Sequence, residues 1–446
     1  MPLVVFLSLI FLLFFAFTLL RPVQVPANPD GSQFSAVPNT FSISNDARTP
    51  ISPSVSLASR NTRTLIYVSS FEGGDKYKTL NGSFTVLDLH GNFRQMGRQY
   101  GYLMREEMQE AYNKTMVETA AMGMPPEQVI AAGDMLYDSN SQKYVELMQG
   151  MSETSGLTLA QHKQLNGGVI SLISAYLIKA YSDANLTPPT QTACSGVAFW
   201  GNYSKDGKLY FGRNWDMVRS LLSPYLPYMT LAVYHPEGTS HAVANLEFIG
   251  EVYTETAMND QGLFLELNNG AQSDPTHMGG RPFAAVKLLD FMFDSSDMND
   301  IGREFNTTYP SDSYVIQVAD KNAAYSYEWP TFGVHRRSEN VSGLLVAYNS
   351  FVPPYPPEWD GKIPPVPAND PRRNNLLAMA NSPEYKGKMD VELMKQFLSV
   401  GVAHGGGMLP DNVYQVIAVP ADYTMWIHGQ NYSGWEEVDL KPLFGS

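Results

Sequence analysis

Ala193 to Asp216 reads A-C-S-G-V-A-F-W-G-N-Y-S-K-D-G-K-L-Y-F-G-R-N-W-D and holds Cys194, the single cysteine of a 446-residue chain. Ser195–Phe199 has the composition of a strand, Lys205-Asp206-Gly207 that of a tight turn, and Lys208–Phe211 that of the returning strand. A hairpin brings its two ends together. Cys194 therefore sits beside Arg213, Asn214 and Asp216, which close the stretch. A lone cysteine is usually a small buried hydrophobe. A guanidinium beside it favours the thiolate, which is the nucleophilic form.

A cysteine at a strand start, a hairpin with a K-D-G turn and then G-R-N-x-D resembles the N-terminal-nucleophile (Ntn) amidohydrolases. Within them it is most similar to the penicillin acyl-transferring (isopenicillin N acyltransferase-like) cysteine family, with choloylglycine hydrolase and acid ceramidase as more distant relatives. The likeness runs over residues 83–440 and includes the pre-nucleophile stretch V-E-L-M-Q-G-M-S-E-T-S-G-L-T-L-A-Q-H-K-Q-L-N from Val145. It implies self-cleavage between Ala193 and Cys194, with Ala193 standing where that family often has glycine. The freed α-amine would be the base for its own thiol, and Arg213 and Asp216 would hold the new terminus. T-A-M-N-D-Q-G-L and G-L-L-V-A-Y-N-S-F resemble the family's asparagine motifs and imply Asn259 and Asn349 as oxyanion donors. D-P-R-R-N-N-L-L supplies the arginine that completes such sites, Arg372 in preference to Arg373. Asn268 and Asn269 read as turn formers after a strand. Trp200, Trp215, Tyr225 and Tyr228 are candidates for an apolar acyl pocket.

A net charge of −14 argues against nucleic acid and anionic membrane surfaces as partners. Val4 to Leu20 is an apolar run, read as a signal peptide or a signal anchor that tethers the protein to a membrane. Seven N-x-S/T sequons, at Asn81, Asn113, Asn185, Asn202, Asn306, Asn340 and Asn431, fit export. The expected location is secreted or lysosome-like. The expected division is 1–27 leader or anchor, 28–63 linker rich in Pro, Ser, Asn and Thr, 64–193 helical N-terminal segment, and 194–446 catalytic domain.

From Ser83, F-T-V-L-D-L-H alternates as a strand and G-N-F-R-Q-M-G opens a helix, on which Gly97 and Gly101 permit close approach of a neighbour. Helices follow over 126–155 and 159–182, with His162 read as a surface residue. After Asp216, alternating strands dominate, with helices near 282–293, 376–380 and 391–398. The residues alone give an α+β protein; the four-layer α/β/β/α sandwich, with a helical pre-nucleophile segment, is what the resemblance implies.

H-G-G-G at His404–Gly407 lacks the G-x-S-x-G elbow of a lipase, and no H-E-x-x-H, Walker loop or His/Cys cluster is present in the sequence. No cofactor is implied. The expected activity is hydrolysis of a linear N-acyl amide, or transfer of its acyl group, through a Cys194 thioester, with the cleaved fragments staying together. The alternatives are a phospholipase B-like Ntn hydrolase acting on lipid esters and a non-catalytic secreted binding protein of the same fold.

Overall fold

The computed structural model describes residues 61–182, 194–238, 240–270, 281, 283–339, 341–363 and 370–445. The leader, most of the linker and Ala193 lie outside them. Among the described residues no helix is long and apolar enough to cross a membrane.

Among the described residues, sixteen strands form two sheets. The chain opens with β1 (Leu65–Phe71), β2 (Gly74–Thr79) and β3 (Thr85–Gly91). The hairpin that holds Cys194 is β4 (Ser195–Phe199) and β5 (Tyr210–Asp216). Then come β6 (Met229–Pro236), β7 (Val243–Phe248), β8 (Thr256–Asn259) and β9 (Phe264–Asn269). Next are β10 (Tyr314–Ala319), β11 (Ala324–Trp329), β12 (His335–Arg337) and β13 (Leu344–Ala347). The last three are β14 (Asn412–Val419), β15 (Thr424–Gly429) and β16 (Glu436–Asp439). The larger sheet runs β1-β2-β3-β6-β7-β8-β9-β10-β11-β12, and the smaller β13-β4-β5-β14-β15-β16.

Strand alternation fixes the layers, because side chains of period two point to opposite faces. In β6, Leu231 and Val233 enter one core while Ala232 and Tyr234 enter another. In β14, Val416 and Ala418 join the core that holds Leu231, whereas Ile417 and Val419 join a third. The shared core lies between the sheets. The outer core of the larger sheet takes Met96, Tyr100, Leu147, Leu288 and Ile301 from helices, and that of the smaller takes Leu376, Met394 and Phe397. The order is helix, sheet, sheet, helix: an α+β sandwich of four layers.

The N-terminal segment is less purely helical than its sequence suggests, since β1–β3 complete one side of the large sheet. Strand β2 (G-D-K-Y-K-T) is too charged to read as a strand. It is held because Lys76 buries its stem and donates to Leu103 O (2.8 Å) and Glu107 Oε1 (2.5 Å). Strand β3 pairs in parallel with β6, joining chain before Cys194 to chain after it. The helix expected over 126–155 is two, Pro126–Asp138 and Gln142–Thr154, broken at Ser139–Ser141. Helix Phe93–Leu103 is capped by Asn92 and Gln95 and packs against Gln142–Thr154 with backbones nearly touching. A Cβ on Gly97 would overlap Leu147 O, and one on Gly150 would overlap Arg94 O. His162 is not on the surface: it is fully buried, with Nε2 2.7 Å from the Ser155 hydroxyl. Burial disfavours the charged ring and pushes its pKa down to about 4.

Candidate active site

Cys194 heads β4, and the β4–β5 register sets Ser195 against Asn214 and Gly196 against Arg213. Gly196 has no side chain for a spatial reason. A Cβ there would lie 2.5 Å from Glu266 Oε1 and 2.6 Å from Gln317 Oε1, both reaching across from the larger sheet. Arg213, the register partner of Gly196, reaches the same Glu266. It is fully buried, with Nη2 4.0 Å from Cys194 Sγ. Nη2 also donates to Leu267 O (2.7 Å), Nη1 to Glu255 O (2.5 Å) and to the Thr256 hydroxyl, and Nε pairs with Glu266 Oε2 at 3.0 Å. The guanidinium thus bolts the two sheets together beside the sulfur.

Asp216, at the end of β5, is fully buried. Its Oδ1 accepts from Asn412 Nδ2 (2.8 Å), while Oδ2 has no hydrogen-bond partner among the described residues. Arg372, at the start of helix Arg372–Ala380, is also buried. Its Nη1 donates to the Cys194 carbonyl (3.0 Å) and to Asn349 Oδ1 (3.1 Å), and its other nitrogens hold Asp370. Asn349 Nδ2 donates to Asn269 O (2.7 Å). Cys194, Arg213, Asn349 and Arg372 are therefore linked by direct contacts, and Asp216 lies within the electrostatic reach of Arg372 and Arg213 without bonding either. Arg373 turns away to Glu339 at 2.7 Å.

Asn259 does not join them. Its Oδ1 accepts from Gln261 N (3.2 Å) and Leu263 N (3.0 Å), and its Nδ2 donates to Met292 O (3.0 Å) and Ser295 O (2.9 Å). Every polar atom is spent fastening the β8–β9 turn to the end of helix Ala284–Asp294 in the outer layer. No oxyanion role is open to it. Asn268, read as a turn former, is instead a buried strand residue of β9. Phe264, Glu266 and Asn268 share one face, and that face looks into the sandwich. Asn268 Nδ2 donates to Glu266 Oε1 (2.8 Å), and its Oδ1 has no hydrogen-bond partner among the described residues. Alternation in F-L-E-L-N was the signal that could have found it.

The thiol is not activated by its surroundings. Burial pushes the Cys194 thiol up to about 12; Arg213 pulls it back, but Asp216, Glu255 and Glu266 push the same way as burial. The expected thiolate is therefore corrected to a thiol. Burial likewise lifts Asp216 to about 7 against Asn412 and Arg372, Glu266 to about 7 against Arg213, and Glu251 to about 8 against the Tyr253 hydroxyl.

These three carboxyls make stability depend on pH. Their unfolded values lie near ~4, so between pH ~4 and ~8 the folded state holds protons that the unfolded chain has lost. The stability they contribute is whole below pH ~4 and drains as pH rises through the folded values. His162 acts oppositely, but its contribution is lost only as pH falls below its unfolded value of ~6.5. The unfolding midpoint of the Cys194→Ala chain is accordingly expected to stand several degrees higher at pH ~6.5 than at pH ~8.5 in a thermal melt. A flat or rising profile would show that these carboxyls ionise freely.

Trp215 stacks on Tyr414 (4.9 Å between centroids), its Nε1 donates to Glu255 Oε2 (2.5 Å), and both rings line a cavity with Val169 and Phe248. A second void, sharing Val169 and Phe248, is lined by Tyr225 and Tyr228. Trp200 lines neither.

Four layers, with a cysteine heading an inner strand and an arginine and an aspartate on the next strand, match the sandwich expected from the sequence. No family model matches the chain. Protein dcd1B of Dictyostelium discoideum is 24% identical over 335 residues, 68% of this chain and 59% of that protein. The chain thus spans less than two thirds of that relative. Among solved structures, a Caenorhabditis elegans N-acylethanolamine-hydrolyzing acid amidase ortholog aligns at TM-score 0.38 and 18% identity, covering 53% of this chain and all of its own. A mutant form of the conjugated bile acid hydrolase of Clostridium perfringens aligns at TM-score 0.39 and 12% identity, over 57% of this chain and 94% of its own. Penicillin V acylase of Agrobacterium tumefaciens gives TM-score 0.35 and 12% identity, over 56% of this chain and 86% of its own.

Proposed function

We propose that the protein is a self-processing cysteine amidohydrolase that cleaves a linear N-acyl amide through a thioester on Cys194. The observation that carries this is the buried group around Cys194: Arg213 against its sulfur, Arg372 on its carbonyl, and an Asp216 oxygen unpartnered among the described residues.

Maturation breaks the Ala193–Cys194 peptide bond. The sulfur attacks the Ala193 carbonyl carbon, the thiol proton passes to the Cys194 nitrogen as the C–N bond breaks and the acyl group moves to sulfur, and water hydrolyses the resulting thioester. This leaves a carboxylate on Ala193 and a free amine on Cys194. An α-amine titrates near ~8 and takes the thiol proton. Asp216 Oδ2 is then the acceptor for the new ammonium. In turnover the sulfur attacks the substrate carbonyl, the amine passes its proton to the leaving nitrogen, and water releases the acid from the thioester. An amine in place of water gives acyl transfer. Asn349, with one amide hydrogen on Asn269 O and a second to donate, is the oxyanion donor. Raised buried carboxyls suit an acidic compartment outside the cytosol.

Intact mass and N-terminal sequencing of purified protein should show two co-purifying fragments, the larger beginning at Cys194. That material should release free amine from N-acyl amides. An uncut chain that still turns over amides would refute the amine as base, and turnover of lipid esters alone would refute the amide reading.

A further inference from the structure

Strands β3 and β6 run in parallel and in step, from Thr85 opposite Thr230 to Gly91 opposite Pro236. At their shared C-terminal end His90 lies opposite His235, with the two rings stacked at 4.3 Å and an interplanar angle of 12°. Asp88, two residues before His90 and on the same face, points between them. Its Oδ1 is 3.1 Å from His90 Nε2 and 2.9 Å from His235 Nε2. Close as they are, Asp88 Oδ1 and His235 Nε2 are buried atoms without a hydrogen-bond partner among the described residues. Asp75, the register partner of Asp88 on β2, adds negative charge beside them.

We propose that Asp88, His90 and His235 form a binding site for a borderline divalent ion such as Zn²⁺. Their three ligand atoms all lie within 4.8 Å of one another. Two imidazoles and one carboxylate are the donors such an ion prefers, and water would complete the coordination. Bonds of about 2.0–2.2 Å in a tetrahedral arrangement set donor atoms roughly 3.3–3.5 Å apart, so each carboxylate–imidazole pair widens by a few tenths of an ångström, and the two near-parallel rings turn out of their stack to aim both Nε2 lone pairs at one ion. Access is open, because the His90 side chain is 48% exposed, while those of His235 and Asp88 are 18% and 15% exposed. Asp88 and His90 precede Cys194 and His235 follows it, so the ion joins the two parts of the chain across the β3–β6 pair. His90 and His235 are far apart in sequence, and only that register unites them.

The test is calorimetric titration of Zn²⁺ alone into the untagged full-length chain, carried out also in a Cys194→Ala background to remove the thiol as a ligand. One equivalent per chain is expected to bind. Affinity should fall at least about tenfold in His90→Ala, whose exposed side chain leaves the fold unchanged, and again in His235→Gln. It should be unchanged in His404→Ala, which alters an exposed histidine elsewhere. Zn²⁺ should raise the unfolding temperature of the parent and not that of His90→Ala. Absence of stoichiometric binding by the parent, or binding by His90→Ala and His235→Gln as tight as the parent's, would overturn the site.

Discussion

Replacing Cys194 with alanine should leave a single uncut polypeptide and reduce amide turnover to the uncatalysed rate, with the melting profile nearly unchanged. The loss is total because one sulfur serves both reactions. Without it no acyl shift opens the Ala193–Cys194 bond, so the amine is never made. The small structural cost follows from the contacts: Arg213 Nη2 reaches the sulfur at only 4.0 Å but keeps Leu267 O at 2.7 Å, and Arg372 holds the backbone carbonyl of residue 194. Cys194→Ser separates the two roles. A hydroxyl can still shift an acyl group slowly, so partial cleavage with little turnover is expected, read from fragment masses against incubation time. Rapid amide turnover by Cys194→Ala would place the nucleophile elsewhere.

What could be read from the amino acids depends on how far each feature reaches along the chain. The hairpin is local: a turn at Asp206-Gly207 forces Ser195 against Asn214, so Cys194, Arg213 and Asp216 were legible as neighbours. Arg372 and Asn349 required a family pattern, because the strand and helix that carry them meet β4 only through the fold. Asn259 and Asn268 show where pattern matching failed. Both sit near turns between strands, and what separates them is the face on which each points, set by pairing with β7 and β10. The charge state of the thiol was misread for a related reason. A guanidinium nearby is visible in sequence, whereas complete burial, which here dominates, is a sum over elements from both sheets. His162 and β2 belong to the same class: a polar residue inside, and a charged strand paired, each stabilised by a partner on another element.

Arg213 is expected to be the most consequential position after Cys194, and its two contributions can be separated. Arg213→Leu removes the cation that opposes burial at the thiol and leaves Glu266 buried without its partner. Breaking a buried ion pair by removing one member costs about 3–5 kcal/mol, so this variant should melt well below the parent. Changing both members, Arg213→Leu with Glu266→Leu, removes the stranded carboxyl and should recover most of that stability. Turnover should not recover. With the charge gone, thiol and amine lose the field that orients proton transfer, and kcat should remain at least about 100-fold below the parent, the scale of losing one preorganised electrostatic contact. The pH dependence of thiol reactivity gives an independent reading. Since Arg213 lowers the Cys194 pKa, the alkaline onset of labelling by a thiol-reactive probe should move to higher pH in the double variant. A double variant that regains both stability and turnover would reduce Arg213 to a bolt between the sheets.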